Sequence, residues 1–167
     1  MEGKRVQDSS VTIAQVMIPQ DANPAGNVHG GVIMKLIDTA GAVVAGRHAR
    51  CNTVTVSIDR LDFIHPVFVG DLLFFKASLN MVGRTSMEAG VRVESENVLT
   101  GEVRHTASAY LTYVALDKDG RPLPVPPLII ESEDEKRRNR EAKIRREMRL
   151  AERKQEEKCQ LEPGSCV

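Results

Sequence analysis

An apolar segment between Val28 and Gly46 limits most strongly what this chain can fold into. Its apolar residues recur at the spacing of an α-helix and cover one broad face: Val32, Ile33, Leu36, Ile37, Ala40, Val43 and Val44. A helix of this kind is stable only when its apolar face is buried against other elements. The rest of the chain must therefore provide a surface that encloses one long helix.

Segments with strand-like alternation provide that surface. Five of them are bounded by turns rich in glycine, proline and aspartate, at residues 10–18, 52–64, 72–82, 86–96 and 102–116. In the second segment, Val54, Val56 and Ile58 alternate with polar residues, which predicts a half-buried strand with its apolar side covered. The helix follows the first strand, and the other four strands come in succession. We therefore predict an α+β fold in which a five-stranded antiparallel sheet curls around one central helix.

The domain organisation follows from length and charge. With 167 residues, the chain can form one domain with an appendage. We predict a domain over residues 1–120, a proline-rich linker over 121–130 and a charged helical tail over 131–167. The chain carries 23 basic and 23 acidic residues, and residues 131–158 contain 11 basic and 9 acidic ones. This balance does not fit the basic surface of a dedicated nucleic-acid binder, so we expect no nucleic-acid partner.

Cysteine usage and the N-terminal residues bear on the cellular compartment. Cys51, Cys159 and Cys166 are odd in number and contain no Cys-x-x-Cys pair, which fits a reduced intracellular protein without zinc. The histidines have no spacing that would link them as metal ligands. The first residues are polar, and no apolar run is long enough to span a membrane. We expect a soluble, cytoplasmic protein with no membrane span and no bound metal.

The start of the predicted helix, from Asn27 to Gly31, is suited to binding negative charge. Backbone N–H groups in the first turn of a helix lack intrahelical partners, and the helix dipole adds partial positive charge there. Gly30 and Gly31 leave these amides unshielded by side chains, so that a carbonyl or phosphate oxygen can approach. An oxygen that becomes negative during acyl transfer is stabilised at such a site. The alternative interpretation is an ordinary glycine-rich turn.

Asp38 is the one acid in this apolar helix, about ten residues from its predicted start. At 1.5 Å per residue it lies roughly 15 Å from that start, too far to act there within the same chain. One interpretation is an i, i+3 ion pair with Lys35 on an exposed flank. The other is a packing of two antiparallel helices, in which Asp38 of one subunit reaches the helix start of its partner. Gly31, Ala42 and Ala45 are small enough to let a neighbouring subunit approach.

Four motifs become informative when they are taken together. They are "NVHGG", "KLIDTAG", "VTVSIDRLDFIHPVFVGD" and "VGRTSMEAGVRVE". From Val11 to about Leu116 the chain resembles the hotdog-fold acyl-CoA thioesterases. The resemblance implies a hotdog fold, hydrolysis of acyl-CoA thioesters to free fatty acid and coenzyme A, and no cofactor besides the coenzyme A of the substrate. It also implies a homodimer with shared sites as the minimal unit, and often a hexamer built as a trimer of dimers.

The resemblance further implies the catalytic residues. Asp38 matches the acid of the family, and Asn27 matches its companion amide, which would position the water or the thioester carbonyl. Gly30 and Gly31 would hold the oxyanion through their amides, with His29 in a supporting role. Asp38 would act either as a general base on water or as a nucleophile on the thioester, and the sequence leaves both open.

The resemblance places coenzyme A on two segments and on the tail. The turn at residues 83–86 offers backbone amides, two hydroxyls and a guanidinium, and the strand edge at residues 56–58 can pair with pantetheine amides. The tail would supply an arginine to the nucleotide end. The residues concerned are Val56, Ser57, Ile58, Gly83, Arg84, Thr85, Ser86, Arg145 and Arg146.

Simpler interpretations remain open for the same features. A plain hairpin turn and an ordinary strand would explain the two coenzyme segments. In the tail, Ile144, Met148 and Ala151 form only a thin apolar line, which favours a solvated helix laid along a neighbouring subunit. A non-catalytic protein that binds or senses acyl-CoA is the alternative function. A hotdog dehydratase is a further one, but it would pair a catalytic histidine with the helix acid, whereas Asp38 stands with Asn27.

Overall fold

The structure, a computed structural model, describes residues 1–161 of the chain. Its elements are β1 (Lys4–Arg5), α1 (Val6–Ser9), β2 (Val11–Val16), α2 (Gly30–Ala49), β3 (Asn52–Phe63), β4 (Leu72–Val82), β5 (Ser86–Glu96), β6 (Val103–Leu116), β7 (Leu128–Ile129) and α3 (Glu133–Leu161). Residues 162–167, the end of the predicted tail with Cys166, lie outside the described residues. The predicted order of strand, helix, four strands and charged helix is confirmed.

The five long strands β2 to β6 form one antiparallel sheet with the order β2-β4-β5-β6-β3. α2 packs on the inner face of this sheet, where Ile33, Ile37, Ala40 and Val44 are almost fully buried. Burial of apolar surface, at about 25 cal/mol per Å², stabilises this packing. The sheet curled around one helix confirms the predicted hotdog fold. Val43 is 38% exposed, so the buried face of α2 is narrower than predicted.

α2 starts two residues later and ends three residues later than the sequence pattern predicts. At its start, the ring Nδ1 of His29 accepts a hydrogen bond from the N–H of Gly31 at 2.9 Å and caps the helix. At its end, Arg50 adopts a left-handed conformation with a φ of 57°, and its N–H donates to the carbonyl of Gly46 at 2.8 Å. Gly46 lies inside the helix because Arg50 provides the C-terminal cap.

β3 is the edge strand beside β6, and two bulges interrupt its register. The pairing shifts at Val56 and again at Asp59, each of which is an extra residue in the strand. A bulge of this kind turns the following side chains toward the other face of the sheet. Thr55 therefore points to α2 on the inner face, whereas Asp59 points to α3 on the outer face.

The bulges also change which residues of β3 are exposed. Val54, Val56 and Ile58 are 38%, 55% and 46% exposed, so the prediction that the apolar side of this strand is covered is wrong for the single chain. The prediction assumed unbroken alternation, and the bulges break it. These three exposed apolar side chains lie on a sheet edge that no other described strand covers.

The proline-rich segment that the sequence predicts as a linker packs onto the domain. Val125 belongs to the hydrophobic core, and its N–H donates to the carbonyl of Arg84 at 3.0 Å. β7 then pairs in parallel with β1. The division into a domain, a linker and a tail stays a prediction.

α3 crosses the outer face of the sheet, opposite α2. Asn139 contacts β4, Arg145 contacts β5 and Arg149 contacts β3. The apolar side chains of Ile144 and Met148 point away from the sheet, and each is 57% exposed. The helix therefore docks onto its own sheet through polar and charged side chains together with the fully buried Ala142. This differs from the expected solvated helix, because acids on the sheet bind its arginines.

His48, near the end of α2, is a fully buried ionisable group. Its Nε2 lies 2.8 Å from the carbonyl of Pro126, and a carbonyl can only accept, so Nε2 carries the proton and donates. Its Nδ1 has no hydrogen-bond partner among residues 1–161. Burial lowers the pKa of His48 below its ordinary value, against the opposing effect of the hydrogen bond to Pro126.

We expect the free energy of unfolding to fall as the pH is lowered below the ordinary pKa range of histidine. A depressed pKa in the folded state means that stability is complete above the unfolded pKa and is lost toward the folded one. The loss is at most about 1.4 kcal/mol per pH unit for one proton. His48→Gln, which can still donate to Pro126, should flatten this dependence in urea unfolding between pH 7.5 and 5.0. Equal pH dependence in both proteins would contradict the assignment.

Candidate active site

A structured turn leads into the start of α2. The side-chain oxygen of Asn23 accepts hydrogen bonds from the N–H groups of Ala25 and Asn27, at 2.9 and 3.2 Å. Gly26 has a φ of 86°, a conformation that side chains disfavour. The N–H of His29 then donates to the carbonyl of Asp21 at 2.7 Å. The turn therefore fixes the direction from which a ligand meets the helix start.

The two glycine amides at the helix start are not equivalent. The N–H of Gly31 is bound by the ring of His29, which differs from the expectation that both amides are unshielded. The N–H of Gly30 makes no backbone or side-chain hydrogen bond within the described residues. A Cβ on Gly30 would lie 3.4 Å from the ring of Phe63. Gly30 therefore offers an amide beside an apolar wall, and His29 acts as the helix cap.

Asp38 lies where α2 faces β3 and β6. Its Oδ1 accepts hydrogen bonds from the Thr55 hydroxyl at 2.6 Å and from the Tyr113 hydroxyl at 3.1 Å. The Tyr113 hydroxyl also lies 2.9 Å from the backbone carbonyl of Asp38. No described residue donates to Oδ2. The carboxylate is therefore fixed through one oxygen while the other can react.

Tyr113 approaches α2 at Gly41, where a Cβ would lie only 2.3 Å from the tyrosine hydroxyl oxygen. Gly41 therefore allows the hydroxyl to reach Asp38. Burial raises the pKa of Tyr113 well above its ordinary value, and the charge of Asp38 raises it further. The hydroxyl stays protonated and remains a donor.

Neither Thr55 nor Tyr113 was among the residues singled out in the sequence. They lie 17 and 75 positions from Asp38, so no local motif connects them to it. The one available signal is that a buried tyrosine hydroxyl needs a hydrogen-bond partner. Among the ion pairs of residues 1–161, none joins Asp38 to Lys35, so the alternative interpretation of this acid is not supported.

The structure keeps Asn27 and Asp38 apart. Asn27 precedes the helix and pairs with Phe68 through its backbone. Asp38 follows Gly30 by eight residues, which is about 12 Å along the helix axis. This is somewhat shorter than the 15 Å expected from the sequence, because α2 starts later. One chain therefore presents the two predicted catalytic side chains at two separate places.

The two predicted coenzyme segments lie at the same end of the sheet. Residues 83–85 form a tight turn between β4 and β5, in which the N–H of Gly83 donates to the carbonyl of Ser86 at 2.7 Å. Ser86 pairs with Val114 of β6, and Val114 pairs with Val54 of β3. The turn is thus two strand spacings, about 10 Å, from Val54, which lies two residues before the 56–58 segment.

The carbonyls and the guanidinium of this turn have different surroundings. The carbonyl of Thr85 accepts from the N–H of Ala115 at 3.0 Å. The Arg84 side chain is exposed. The backbone carbonyls of the turn therefore stabilise the fold, while the guanidinium is accessible to a ligand.

The two arginines predicted on the tail also differ. The guanidinium of Arg145 lies 2.7 Å from a carboxylate oxygen of Glu88, which is fully buried, and 3.7 Å from the centroid of the Tyr110 ring. These contacts hold Arg145 on the outer face of the sheet, opposite Asp38. Arg146 is exposed. Of the two, Arg146 has the side chain that is accessible to a ligand.

Metal-binding clusters and membrane-spanning helices are the next two features of the described residues. Residues 1–161 contain no group of three or more His, Cys, Asp and Glu side chains that could hold a metal ion. No helix within these residues is long and apolar enough to cross a membrane.

Comparisons with known proteins agree on one family. The model of the Thioesterase superfamily matches residues 25–102. A Bacillus subtilis protein, named an uncharacterised acyl-CoA thioester hydrolase, is 37% identical over 134 residues, which are 80% of this chain and 78% of the relative. The crystal structure of an apo-hexameric acyl-CoA thioesterase superposes with a TM-score of 0.88 at 39% identity, over 91% of this chain and 97% of that one.

Another similar protein has been solved with ligands bound. An acyl-CoA hydrolase from Staphylococcus aureus, solved with butyryl coenzyme A, coenzyme A and coenzyme A disulfide, has a TM-score of 0.86 and 34% identity. The similarity covers 93% of this chain and 94% of that one. Together with the sheet curled around α2, these similarities show that the chain belongs to the hotdog-fold acyl-CoA thioesterase family.

Proposed function

We propose that this chain hydrolyses acyl-CoA thioesters to a free fatty acid and coenzyme A. The observation that carries the proposal is Asp38, a carboxylate in an apolar helix whose Oδ1 is held by two neutral hydroxyls and whose Oδ2 is open. Such a group can take a proton or attack a carbonyl carbon. Family membership and the coenzyme-bound hydrolase from Staphylococcus aureus support a coenzyme A thioester as the substrate.

The reaction needs few other groups. As a general base, Asp38 would remove a proton from water through Oδ2 while the water oxygen attacks the thioester carbonyl carbon. As a nucleophile, Oδ2 would form an acyl-enzyme that water then hydrolyses. The amide of Gly30 is suited to the oxyanion, and the Asn27 side chain to the carbonyl or water. The departing thiolate is stable enough near neutral pH to leave without a dedicated acid.

A second subunit would complete each site. The helix start lies against Phe63 and Asp38 against Thr55, at opposite ends of β3. Antiparallel pairing of two β3 edges would place the Thr55 end of one chain beside the Phe63 end of its partner. It would also bring the exposed apolar side chains of Val54, Val56 and Ile58 into the interface. We propose this homodimer as the minimal unit, and the hexameric relative supports a trimer of dimers.

Asp38→Asn tests the catalytic carboxylate. We expect kcat to fall by at least about a hundredfold with little change in Tm, because the amide oxygen still accepts both hydroxyls but cannot serve as base or nucleophile. Thiol release from palmitoyl-CoA measures turnover, and Asp62→Asn, which changes an exposed acid on β3, is the control. Retained activity would contradict the assignment. Tight acyl-CoA binding without wild-type hydrolysis at any chain length would instead identify a non-catalytic binding protein.

Arg84→Ala tests the coenzyme site at the 83–86 turn. We expect KM for acyl-CoA to rise more than kcat falls, because contacts made equally in the ground and transition states act through binding. Arg121→Ala removes another exposed arginine at the same end of the sheet and should leave KM unchanged. An unchanged KM in the Arg84 variant would remove this turn from the coenzyme site.

Mixing two inactive proteins tests the shared site. Asn27→Ala and Asp38→Ala chains are combined under conditions that allow subunit exchange. Half of the randomly formed dimers are mixed, and each mixed dimer has one intact site, so about a quarter of wild-type activity should return. Either protein alone is the control. If native mass spectrometry shows exchange and no activity returns, the two residues do not share a site across subunits.

A further inference from the structure

The strand segment proposed to bind coenzyme A lies between the two bulges of β3. Val56 and Asp59 are the extra residues, and Ser57 and Ile58 lie between them. A bulged residue has no regular partner in the hydrogen-bond ladder, and β3 has only β6 beside it in the described sheet. The ladder alone therefore leaves the conformation of this segment weakly determined.

Side-chain contacts supply what the ladder lacks. The Ser57 hydroxyl donates to Oδ1 of Asp59 at 2.5 Å, and the guanidinium of Arg149 binds Oδ2. The Asp59 side chain is only 8% exposed, and a carboxylate at this burial requires such partners. These contacts join Ser57, Asp59 and Arg149 into one chain from the coenzyme segment to α3.

Arg149 is one of several contacts that hold α3 on the sheet. Asn139 donates to the carbonyl of Asn80 on β4 at 2.8 Å, and Arg145 binds the buried Glu88 on β5. Both contacts precede Arg149 along the helix and lie on other strands. Arg149 is the one described residue of α3 with an ion pair to β3.

We propose that Arg149 is a positioning residue for coenzyme A. Through Asp59 and Ser57 it holds the bulged part of β3 in the conformation that receives the pantetheine, without touching the ligand itself. The inference rests on the proposed function, since it takes residues 56–58 as part of the coenzyme site. It gives the charged helix a role in substrate affinity rather than in nucleotide contact alone.

Arg149→Met keeps the bulk of the side chain and removes its charge. We expect KM for acyl-CoA and the Kd for coenzyme A, from calorimetry, to rise about tenfold with kcat within about twofold, because the change alters binding in ground and transition states alike. Arg149→Lys keeps the charge and should restore most of the affinity. Asn139→Ala is the control, since it loosens α3 at β4 and should leave Kd unchanged.

Asp59→Asn tests whether Arg149 affects coenzyme A binding through its ion pair with Asp59 or through a general change in the position of α3. If Arg149 acts through Asp59, the single variants and the Arg149→Met/Asp59→Asn double variant should show the same loss, since the effects of coupled residues do not add. Additive losses, an equal loss in Asn139→Ala, an unchanged Kd in Arg149→Met, or a change in oligomer mass would each overturn the inference. A wild-type protein that neither binds coenzyme A nor hydrolyses acyl-CoA would instead overturn the proposed function.

Discussion

The hydroxyl of Tyr113 joins the sheet to the helix that the sheet encloses, and much of the structure depends on this contact. It reaches α2 only because Gly41 has no side chain at the point of approach. There it lies against both the backbone carbonyl and the carboxylate of Asp38. The contact sets the distance between helix and sheet, and it orients the one acid of the helix. The same few atoms therefore contribute both to the packing of α2 on the sheet and to the orientation of the Asp38 carboxylate.

Three acids on this sheet and its helix are held by two kinds of partner. Glu88 is fully buried and bound by Arg145, and Asp59 is bound by Arg149. Asp38 is bound by hydroxyls alone. A guanidinium neutralises a carboxylate and occupies its oxygens, whereas a hydroxyl orients it and leaves its charge in place. The choice of partner therefore distinguishes two acids that dock α3 from one that can act on a substrate.

Much of the fold could be predicted from the sequence, because alternation and helical spacing were unbroken in most elements. β4 and β5 have the predicted bounds. The bulges at Val56 and Asp59 could not be predicted, since no residue type marks them and the alternation continues through them. The docking of α3 was missed for another reason. The charge run predicts a solvated helix, whereas the structure buries Glu88 of the central strand β5 and pairs it with Arg145 of this run.

The sequence indicates residues of the candidate site only where a motif spans them. Asn27, Asp38 and the glycines lie within twelve residues of one another, so a local pattern could indicate them. Thr55 and Tyr113 reach Asp38 only through the sheet register, which places them opposite each other on β3 and β6. Hydroxyl residues are common on strands, and position in the sequence does not distinguish these two. Support for a catalytic group from other strands is therefore visible only once the register is known.

The inner face, the outer face and the free edge of β3 each make a different contribution to the structure. Its inner face presents Thr55 to Asp38, its outer face presents Asp59 to α3, and its free edge carries exposed apolar side chains. In a regular strand, Thr55 and Asp59 would share one face, because side chains alternate with a period of two. The bulge at Val56 separates them, so that one strand can support the candidate catalytic acid and anchor the C-terminal helix at once. The bulges, which the sequence pattern does not predict, thus allow a single edge strand to connect the helix α2, the proposed coenzyme segment and α3.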